Sequence, residues 1–315
     1  MKRKVLSAVF KYSQLVILIV ILIILSFTSK EFLTWDNISN VVMQQMPFML
    51  IISMGMTLAI LTKGIDLSIA SNLALSSCVA AYFIKDGKVF LGILAAVVIG
   101  ALVGAVNGVL ITKARLEPFI ATYTMDMVVR GLAYLFMSGT LFYGFSAGFC
   151  SIATGSVGPI SNLLIISLLL FAVLFFALRK TTYGRSVYAI GCNINATRLS
   201  GINTGGVVFS IYVINGLLAA VTGLLYIARL NAAESTIGSD FTMQMMAATL
   251  IGGTSFSGGK GGIERTLLGV LIMVFIANGM NLNGVSSLLQ DAVFGVFIVI
   301  SLVIDKFGSK YSANL

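Results

Sequence analysis

The stretch FLGILAAVVIGALVGAVNGVLIT, residues 90–112, contains no charged side chain and is long enough to cross a lipid bilayer as a single helix. The hydrocarbon core of a bilayer requires about 20 predominantly apolar residues per helix. The rest of the 315-residue chain has the same character, because 58% of its residues are hydrophobic and only 10% are charged. A soluble domain has about 25% charged residues, so this chain has too few charges to cover a water-exposed surface. The sequence therefore predicts an all-α, polytopic membrane protein.

About ten stretches are apolar enough to be predicted as transmembrane helices. They are residues 11–28, 41–62, 66–84, 90–112, 118–137, 161–178, 206–229, 240–255, 266–282 and 287–304. The first could be mistaken for a signal peptide, but FTSKEFLTW after it offers no clear small-residue cleavage site, so we interpret it as a retained anchor. The stretch 240–255 is short and contains a glycine pair, and we expect it to be broken or partly re-entrant. We treat residues 1–315 as one transmembrane domain.

The lysine and arginine residues predict the orientation, because cytoplasmic loops of membrane proteins are enriched in both. With the N-terminus inside, most of the 20 Lys and Arg residues fall on the cytoplasmic side. They are Lys2, Arg3, Lys4, Lys11, Lys63, Lys113, Arg115, Arg179, Lys180, Arg185, Arg198, Lys260, Arg265, Lys306 and Lys310. Both termini are thus predicted to be cytoplasmic. The net charge of +9 reflects this topology and does not indicate nucleic-acid binding.

The residues needed for catalysis or metal binding are scarce. The chain has no histidine, which excludes a histidine general acid or base. Its cysteines, Cys78, Cys150 and Cys192, fall in the membrane, outside and in a cytoplasmic loop, so a structural disulfide is not expected. A zinc or iron site would lack ligands. We therefore predict that the chain is not an enzyme and holds no metal or cofactor of its own.

The glycine-rich stretch IGGTSFSGGKGGIER, residues 251–265, invites comparison with a phosphate-binding loop. The pattern G-x-x-x-x-G-K-[ST] places glycines and a lysine around phosphate and a hydroxyl on magnesium. Here Thr254 occupies the first glycine position and Gly261 follows Lys260 where Ser or Thr is required. The longest polar stretch, residues 179–204, is also too short to fold as a separate nucleotide-binding domain. If this protein uses ATP, another chain hydrolyses it.

Within that polar stretch, NINATRLSGIN (residues 193–203) predicts a short helix on the cytoplasmic surface. Asn193 or Asn195 is suited to cap its start, and Gly201 is suited to end it. Two interpretations stay open at this level. The segment is either a solvated loop or a coupling helix that seats in a groove of an ATPase.

Five stretches, in this order, give the chain a specific resemblance over nearly its whole length. They are LTKGIDLSIASNLALSS (61–77), NGVLITKARLEPFIATYTMDMVVRGLAY (107–134), TTYGRSVYAIGCNINATRLSGIN (181–203), IGGTSFSGGKG (251–261) and NGMNLNGVSS (278–287). The chain resembles the permease subunit of bacterial ABC importers of the ribose, galactose and autoinducer-2 class. The resemblance implies a type II importer architecture in the bacterial cytoplasmic membrane, which moves a small sugar into the cell.

The same resemblance implies the partners. Two permeases, identical or related, would pair in the membrane above an ATPase subunit of two fused cassettes, and the ATP and Mg would bind to that ATPase. A sugar-binding protein would deliver the substrate from outside. The family's coupling segment resembles E-A-A-x-x-x-G, and here Asn195 and Thr197 depart from it while Ala196 and Gly201 match. The implied ATPase-coupling residues are Asn195, Ala196, Thr197, Arg198, Leu199, Ser200 and Gly201.

Polar residues inside or beside apolar spans are candidates for the translocation path, because they are costly in a membrane. The candidates are Asp66, Ser68, Asn72, Asp126, Arg130, Asn215, Gln244 and Asn278. Asp126 and Arg130 lie four residues apart and are expected to share a helix face, either as a neutralising pair or as part of the path. Glycine-interrupted segments in the two halves of a transporter often mark moving parts. The candidate hinge glycines are Gly64, Gly252, Gly253, Gly258 and Gly259, with tight helix packing as the alternative.

A different class of protein also remains open. An ion-coupled secondary transporter works without an ATPase and needs an ion or proton site in the membrane. Asp126 and Asp291 are the candidate residues for such a site. Such a transporter has no use for a coupling segment at residues 181–203, so the ABC permease is the favoured interpretation.

Overall fold

The computed structural model describes residues 13–313, most of which are helical. The predicted anchor appears as helix α1, Ser13–Thr28. Residues 11 and 12 of that predicted span lie outside the described residues. So do four of the predicted cytoplasmic basic residues: Lys2, Arg3, Lys4 and Lys11.

Four long helices follow in the first half of the chain. They are α2 (Trp35–Leu61), α3 (Ile69–Ile84), α4 (Val89–Thr112) and α5 (Pro118–Met137). Helix α2 begins earlier than the predicted residue 41, because the Thr34 side chain accepts a hydrogen bond from the Asn37 backbone N–H at 3.3 Å. It continues through one π-helical turn, Val41–Gln45.

The connection after α5 contains short structure that the sequence did not predict. Strand β1 (Phe142–Tyr143) precedes helix α6 (Ala147–Thr154) and the hairpin of β2 (Ser156–Val157) and β3 (Ile160–Ser161). Strand β1 pairs antiparallel with β4, Ala232–Ala233, from the second half of the chain. Two small two-stranded sheets therefore accompany the helices of a chain that is otherwise mostly helical, in keeping with the predicted all-α class.

The second half of the chain contains seven of the described helices. They are α7 (Asn162–Lys180), α8 (Thr182–Cys192), α9 (Ile194–Leu199), α10 (Thr204–Leu230), α11 (Phe241–Ile251), α12 (Ile263–Leu282) and α13 (Ser287–Ala313). Helix α11 is short, in keeping with the prediction for 240–255, and it ends at Gly252.

Helix α3 lies at the centre of the bundle, in contact with α4, α5 and α10. Most of its residues are buried. Helices α4 and α10 pack closely on small residues, since a Cβ atom added at Gly104 would lie 2.2 Å from the Tyr212 carbonyl oxygen and one at Gly216 would lie 2.0 Å from that of Gly100. Such close approach of helix backbones is how small residues hold membrane helices together.

Among the described residues, five helices are long and apolar enough to cross a membrane. These are α2, α4, α7, α10 and α12, and shorter apolar helices lie at Gln14–Thr28, Ile69–Ile84, Phe241–Ile251 and Ser287–Val303. Every predicted span thus coincides with a helix. Helix α5 belongs to neither group, because polar side chains such as Thr124, Asp126 and Arg130 interrupt it.

Candidate functional site

The predicted helix in the segment 193–203 is present as α9, Ile194–Leu199. Asn193, rather than the alternative Asn195, caps it: the Asn193 Oδ1 atom accepts hydrogen bonds of 3.0 Å from the backbone N–H groups of Asn195 and Ala196. Gly201, at φ +82°, has the left-handed backbone expected at the end of a helix. A side-chain cap at one end and a left-handed backbone at the other therefore set the limits of this helix.

Helix α9 presents most of its surface to solvent. Thr197 is its one buried residue, and its Oγ1 atom donates a hydrogen bond to the Asn193 carbonyl oxygen. Leu199 is 90% exposed, although it is a large apolar side chain on a polar segment. The remaining predicted coupling residues are also exposed: Asn195, Ala196, Arg198, Ser200 and Gly201. The arrangement gives a small surface with an apolar centre that is available to a partner.

Helix α8, which precedes α9, is hydrogen-bonded to the glycine-rich loop, residues 252–262. The Tyr188 hydroxyl donates to the Gly261 carbonyl oxygen at 3.0 Å. The Gly259 N–H donates to the Leu61 carbonyl oxygen at the end of α2, at 2.9 Å. A Cβ atom at Gly191 would lie 1.9 Å from that same oxygen, so α8, the loop and α2 meet at one point.

A second link runs between α7 and α12 at the same end of the bundle. Arg179, in the last turn of α7, forms an ion pair with Glu264, in the first turn of α12. Both side chains are partly exposed, so the pair is worth little by itself. It nevertheless joins the start of the segment 179–204 to the residues that follow the glycine-rich loop.

The five predicted hinge glycines are needed for two different reasons. Gly253, Gly258 and Gly259 have left-handed φ angles of +92°, +77° and +70°, which other residues adopt at a cost. Gly64 and Gly252 are needed for close approach, since added Cβ atoms would lie 2.5 Å from the Tyr212 hydroxyl and the Arg265 carbonyl oxygen. Close packing, the alternative to a hinge, is therefore present at Gly64 and Gly252.

The structure brings four of the predicted path residues together at the start of α3. Asp66 is 2% exposed, and its Oδ1 atom accepts hydrogen bonds from Ser68 through the hydroxyl at 2.7 Å and the backbone N–H at 3.2 Å. Its Oδ2 atom accepts a 3.0 Å hydrogen bond from Asn215 Nδ2 on α10. One turn further along α3, Asn72 donates to the Gly100 carbonyl oxygen of α4 at 3.1 Å. The cluster therefore joins α3 to α4 and α10.

Two members of this cluster were not predicted. Asn107 Nδ2 on α4 donates to the Ser68 hydroxyl at 2.7 Å, and Tyr212 on α10 places its hydroxyl against Gly64. Both residues are fully buried. The oxygens of Asn107, Tyr212 and Asn215 side chains have no hydrogen-bond partner within the described part of the chain. Asn107 could have been predicted, because it is a lone asparagine in an otherwise apolar span. Nothing in the sequence distinguishes Tyr212 from an ordinary core tyrosine.

The predicted pairing of Asp126 with Arg130 is wrong. Arg130 Nη1 donates instead to the carbonyl oxygens of Ser235 and Ile237, at 3.1 and 3.0 Å. The physical reason is that this loop before α11 offers carbonyl groups that need donors, and the long guanidinium reaches them. Asp126 is half-buried, and its Oδ1 atom is without a hydrogen-bond partner among the described residues.

The last two predicted path residues lie away from the cluster. Asn278 forms a reciprocal amide pair with Asn37, with two hydrogen bonds of 2.9 Å that join α12 to α2. Gln244 is half-buried in α11. The three cysteines are free. Within residues 13–313, no three His, Cys, Asp or Glu side chains gather as metal ligands would.

Comparison with known proteins assigns the chain to a family. The model of the family described as branched-chain amino acid transport system / permease component matches residues 37–302. The chain belongs to this family, so it is a permease component of a transport system and not an enzyme. The resemblance inferred from the five sequence stretches is confirmed.

Individual relatives are similar over nearly their whole length. The ribose import permease protein RbsC of Escherichia coli K12 is 39% identical over 297 residues, which cover 93% of this chain and 92% of that protein. RbsC of Bacillus subtilis 168 is 41% identical over 292 residues, or 92% of this chain and 90% of that protein. The D-allose transport system permease protein AlsC of E. coli K12 is 36% identical over 303 residues, or 95% and 93%. No solved structure matches the chain.

Proposed function

We propose that the chain is the transmembrane permease subunit of an ABC importer that brings a monosaccharide into the bacterial cell. The substrate class rests on the relatives, which are named for ribose and allose transport and cover more than 90% of this chain. The observation that supports ATPase coupling is α9, a capped helix with an exposed apolar residue on a segment fastened to the bundle. An ion-coupled secondary transporter would not need this surface.

We infer that about ten helices cross the membrane, with both termini in the cytoplasm. The five long apolar helices, the four shorter ones and α5 together make up this number. Helix α5 supports a further point, since its outer face combines exposed Tyr123, Thr124 and Tyr134 with the half-buried carboxylate of Asp126. A carboxylate on a lipid-facing surface is costly, so this face borders an aqueous path or a second permease.

The coupling residues act through the contacts of α8. Movement of α9 with a partner ATPase would be transmitted through α8 to the glycine-rich loop and to the end of α2, where Gly191, Gly259 and Leu61 meet. The left-handed glycines of the loop would absorb the change in backbone angles. ATP and Mg would act on the ATPase, and an extracytoplasmic sugar-binding protein would supply the substrate to a pair of permeases.

The polar cluster at Asp66 is a path element only in a different conformation, because all its members are buried here. Separation of α3 from α10 would expose the Asp66 carboxylate and the amide of Asn215, which are suited to hydrogen-bond sugar hydroxyls. In the conformation described here, the same groups bond to each other and close the path.

Reconstituted transport tests this proposal. The permease is placed in proteoliposomes with its ATPase and sugar-binding protein, and uptake of D-ribose, D-allose, D-galactose and L-leucine is compared. We expect ATP-dependent uptake of one of the sugars. ATP-driven uptake of leucine alone would contradict the substrate class, and uptake by the permease alone along a proton or sodium gradient would contradict the ABC mechanism.

A further inference from the structure

A small cleft opens where three connections of the bundle meet, and the proposed function assigns it no role. It is about 180 Å³ in volume and lies between the turn after α2, the residues that begin α5 and the glycine-rich loop. A Cβ atom at Gly258 would lie 2.5 Å from Lys63 Cγ and 3.2 Å from the Gly191 carbonyl oxygen, which places the cleft at the same end of the bundle as the coupling segment. In the proposed topology this end faces the cytoplasm.

The walls of the cleft combine two aromatic rings with two opposite charges. Phe119 is 53% exposed and Phe256 is 41% exposed, and they come from α5 and from the glycine-rich loop. Lys63 and Glu117 are exposed, and neither makes an ion pair within the described part of the chain. An aromatic ring packs against the C–H face of a sugar, while an ammonium donates to its hydroxyl oxygens and a carboxylate accepts from its hydroxyl groups. Convergent polar groups in a partly apolar cleft are typical of small-molecule sites.

Lys63 stands at a position where a glycine would be less strained. Its φ angle is +63°, in the left-handed region, and the next residue, Gly64, packs against Tyr212. A non-glycine residue in this region costs of order 1 kcal/mol, and Arg115, Ser138 and Asn231 share this conformation with Lys63. Lys63 differs from those three residues in that it lines the cleft.

The backbone that lines the cleft continues into the buried polar cluster. The Ile65 carbonyl oxygen accepts a 3.1 Å hydrogen bond from the Thr122 hydroxyl of α5, and the next residue is Asp66. Separation of α3 from α10, as proposed above, would open the cluster one residue along the chain from this cleft. We propose that the cleft is a weak release site for the transported monosaccharide, held by Lys63, Glu117, Phe119 and Phe256. The proposal rests on the proposed function and names a site for its substrate.

A fluorescent reporter measures sugar binding at the cleft in the purified permease. Phe256→Trp places an indole in the wall, and Trp35→Phe removes the single native tryptophan. D-ribose, D-allose and D-galactose are titrated, with L-leucine as a second arm. We expect a saturable response to at least one sugar, with a Kd on the order of 1 mM, since a release site must not retain its ligand.

Two variants of the reporter protein test the charged residues. Lys63→Gly removes the ammonium and relieves the left-handed strain, so the fold should be preserved while the sugar Kd rises about tenfold, as for the loss of one hydrogen bond to a charged group. Glu117→Gln should have a similar effect. Arg115→Gly is the matched control, because Arg115 is also an exposed cation with a left-handed φ, +57°, but does not line the cleft. Its Kd should equal that of the parent.

The proposal is overturned if no sugar gives a saturable response while the intact transporter imports it. It is also overturned if Lys63→Gly and Arg115→Gly shift the Kd equally, or if leucine binds and the sugars do not. A failure of the proposed function would look different, because reconstituted ATP-driven sugar uptake would then be absent in the unmodified complex.

Discussion

The hydrogen bond between Asn215 and Asp66 joins α10 to the start of α3, and its removal should measurably destabilise the bundle. Asn215→Leu keeps a side chain of similar size, so little cavity forms, but the Asp66 Oδ2 atom loses its 3.0 Å donor. A buried acceptor that loses its hydrogen-bond donor costs about 1–3 kcal/mol. Because the carboxylate is 2% exposed, water cannot replace the lost donor, and the cost should lie toward the upper end of that range.

The assay is the apparent free energy of unfolding in detergent micelles, from titration with dodecyl sulfate followed by circular dichroism. Asn278→Leu is a suitable comparison, since it removes both hydrogen bonds of the neutral amide pair with the half-buried Asn37 and should cost about 1–2 kcal/mol. A double-mutant cycle of Asp66→Asn with Asn215→Leu should give a coupling energy above about 1 kcal/mol. Additivity within about 0.5 kcal/mol would refute the view that this bond stabilises a buried carboxylate.

Three further outcomes follow from the contacts described above. Leu199→Ala should leave the fold unchanged, since Leu199 is 90% exposed. It should weaken ATPase binding by about 2 kcal/mol, roughly 30-fold in Kd. Leu288→Ala, at a comparably exposed position, should leave the Kd for the ATPase unchanged. Measured Kd values that are equal for both would remove Leu199 from the docking surface. Arg130→Gln should destabilise the protein by about 1–3 kcal/mol, because two carbonyl groups lose their donor. Its effect on the free energy of unfolding should add to that of Asp126→Asn. A strong coupling energy between the two substitutions would instead show that Asp126 and Arg130 form an ion pair. The purified permease should not hydrolyse ATP, because Thr254 and Gly261 break the phosphate-loop pattern; activity abolished by Lys260→Ala would show otherwise.

Much of the fold could be predicted because membrane spans depend on local composition. Every predicted span contains a helix, and the ends of α9 follow from Asn193 and Gly201, whose side-chain and backbone chemistry acts within a few residues. The small strands β1 and β4 could not be predicted in the same way. Their pairing joins Phe142 to Ala233, far apart in the chain, and neither segment has a strand pattern of its own.

The candidate site was predictable residue by residue, but not as an arrangement. Asp66, Ser68 and Asn215 were each nominated as costly polar groups, yet their meeting depends on how α3 and α10 pack. Asp126 and Arg130 illustrate the opposite error. Their spacing of four residues satisfies a local rule, and the local rule contains no information about the carbonyl groups of Ser235 and Ile237 that take the guanidinium instead.

The most direct test of the central claim is ATP-driven sugar uptake by Ala196→Glu in the reconstituted transporter. Ala196 is exposed on α9 and buries no part of the bundle, so the variant should insert and fold as the parent does. A bulky charge at the centre of a docking surface should abolish uptake and co-purification of the ATPase. Ala114→Glu is the control, since it makes the same substitution at an exposed position outside the segment 179–204. Loss of uptake in Ala196→Glu alone is the predicted result, and near-normal uptake with normal ATPase recovery would contradict coupling through α9.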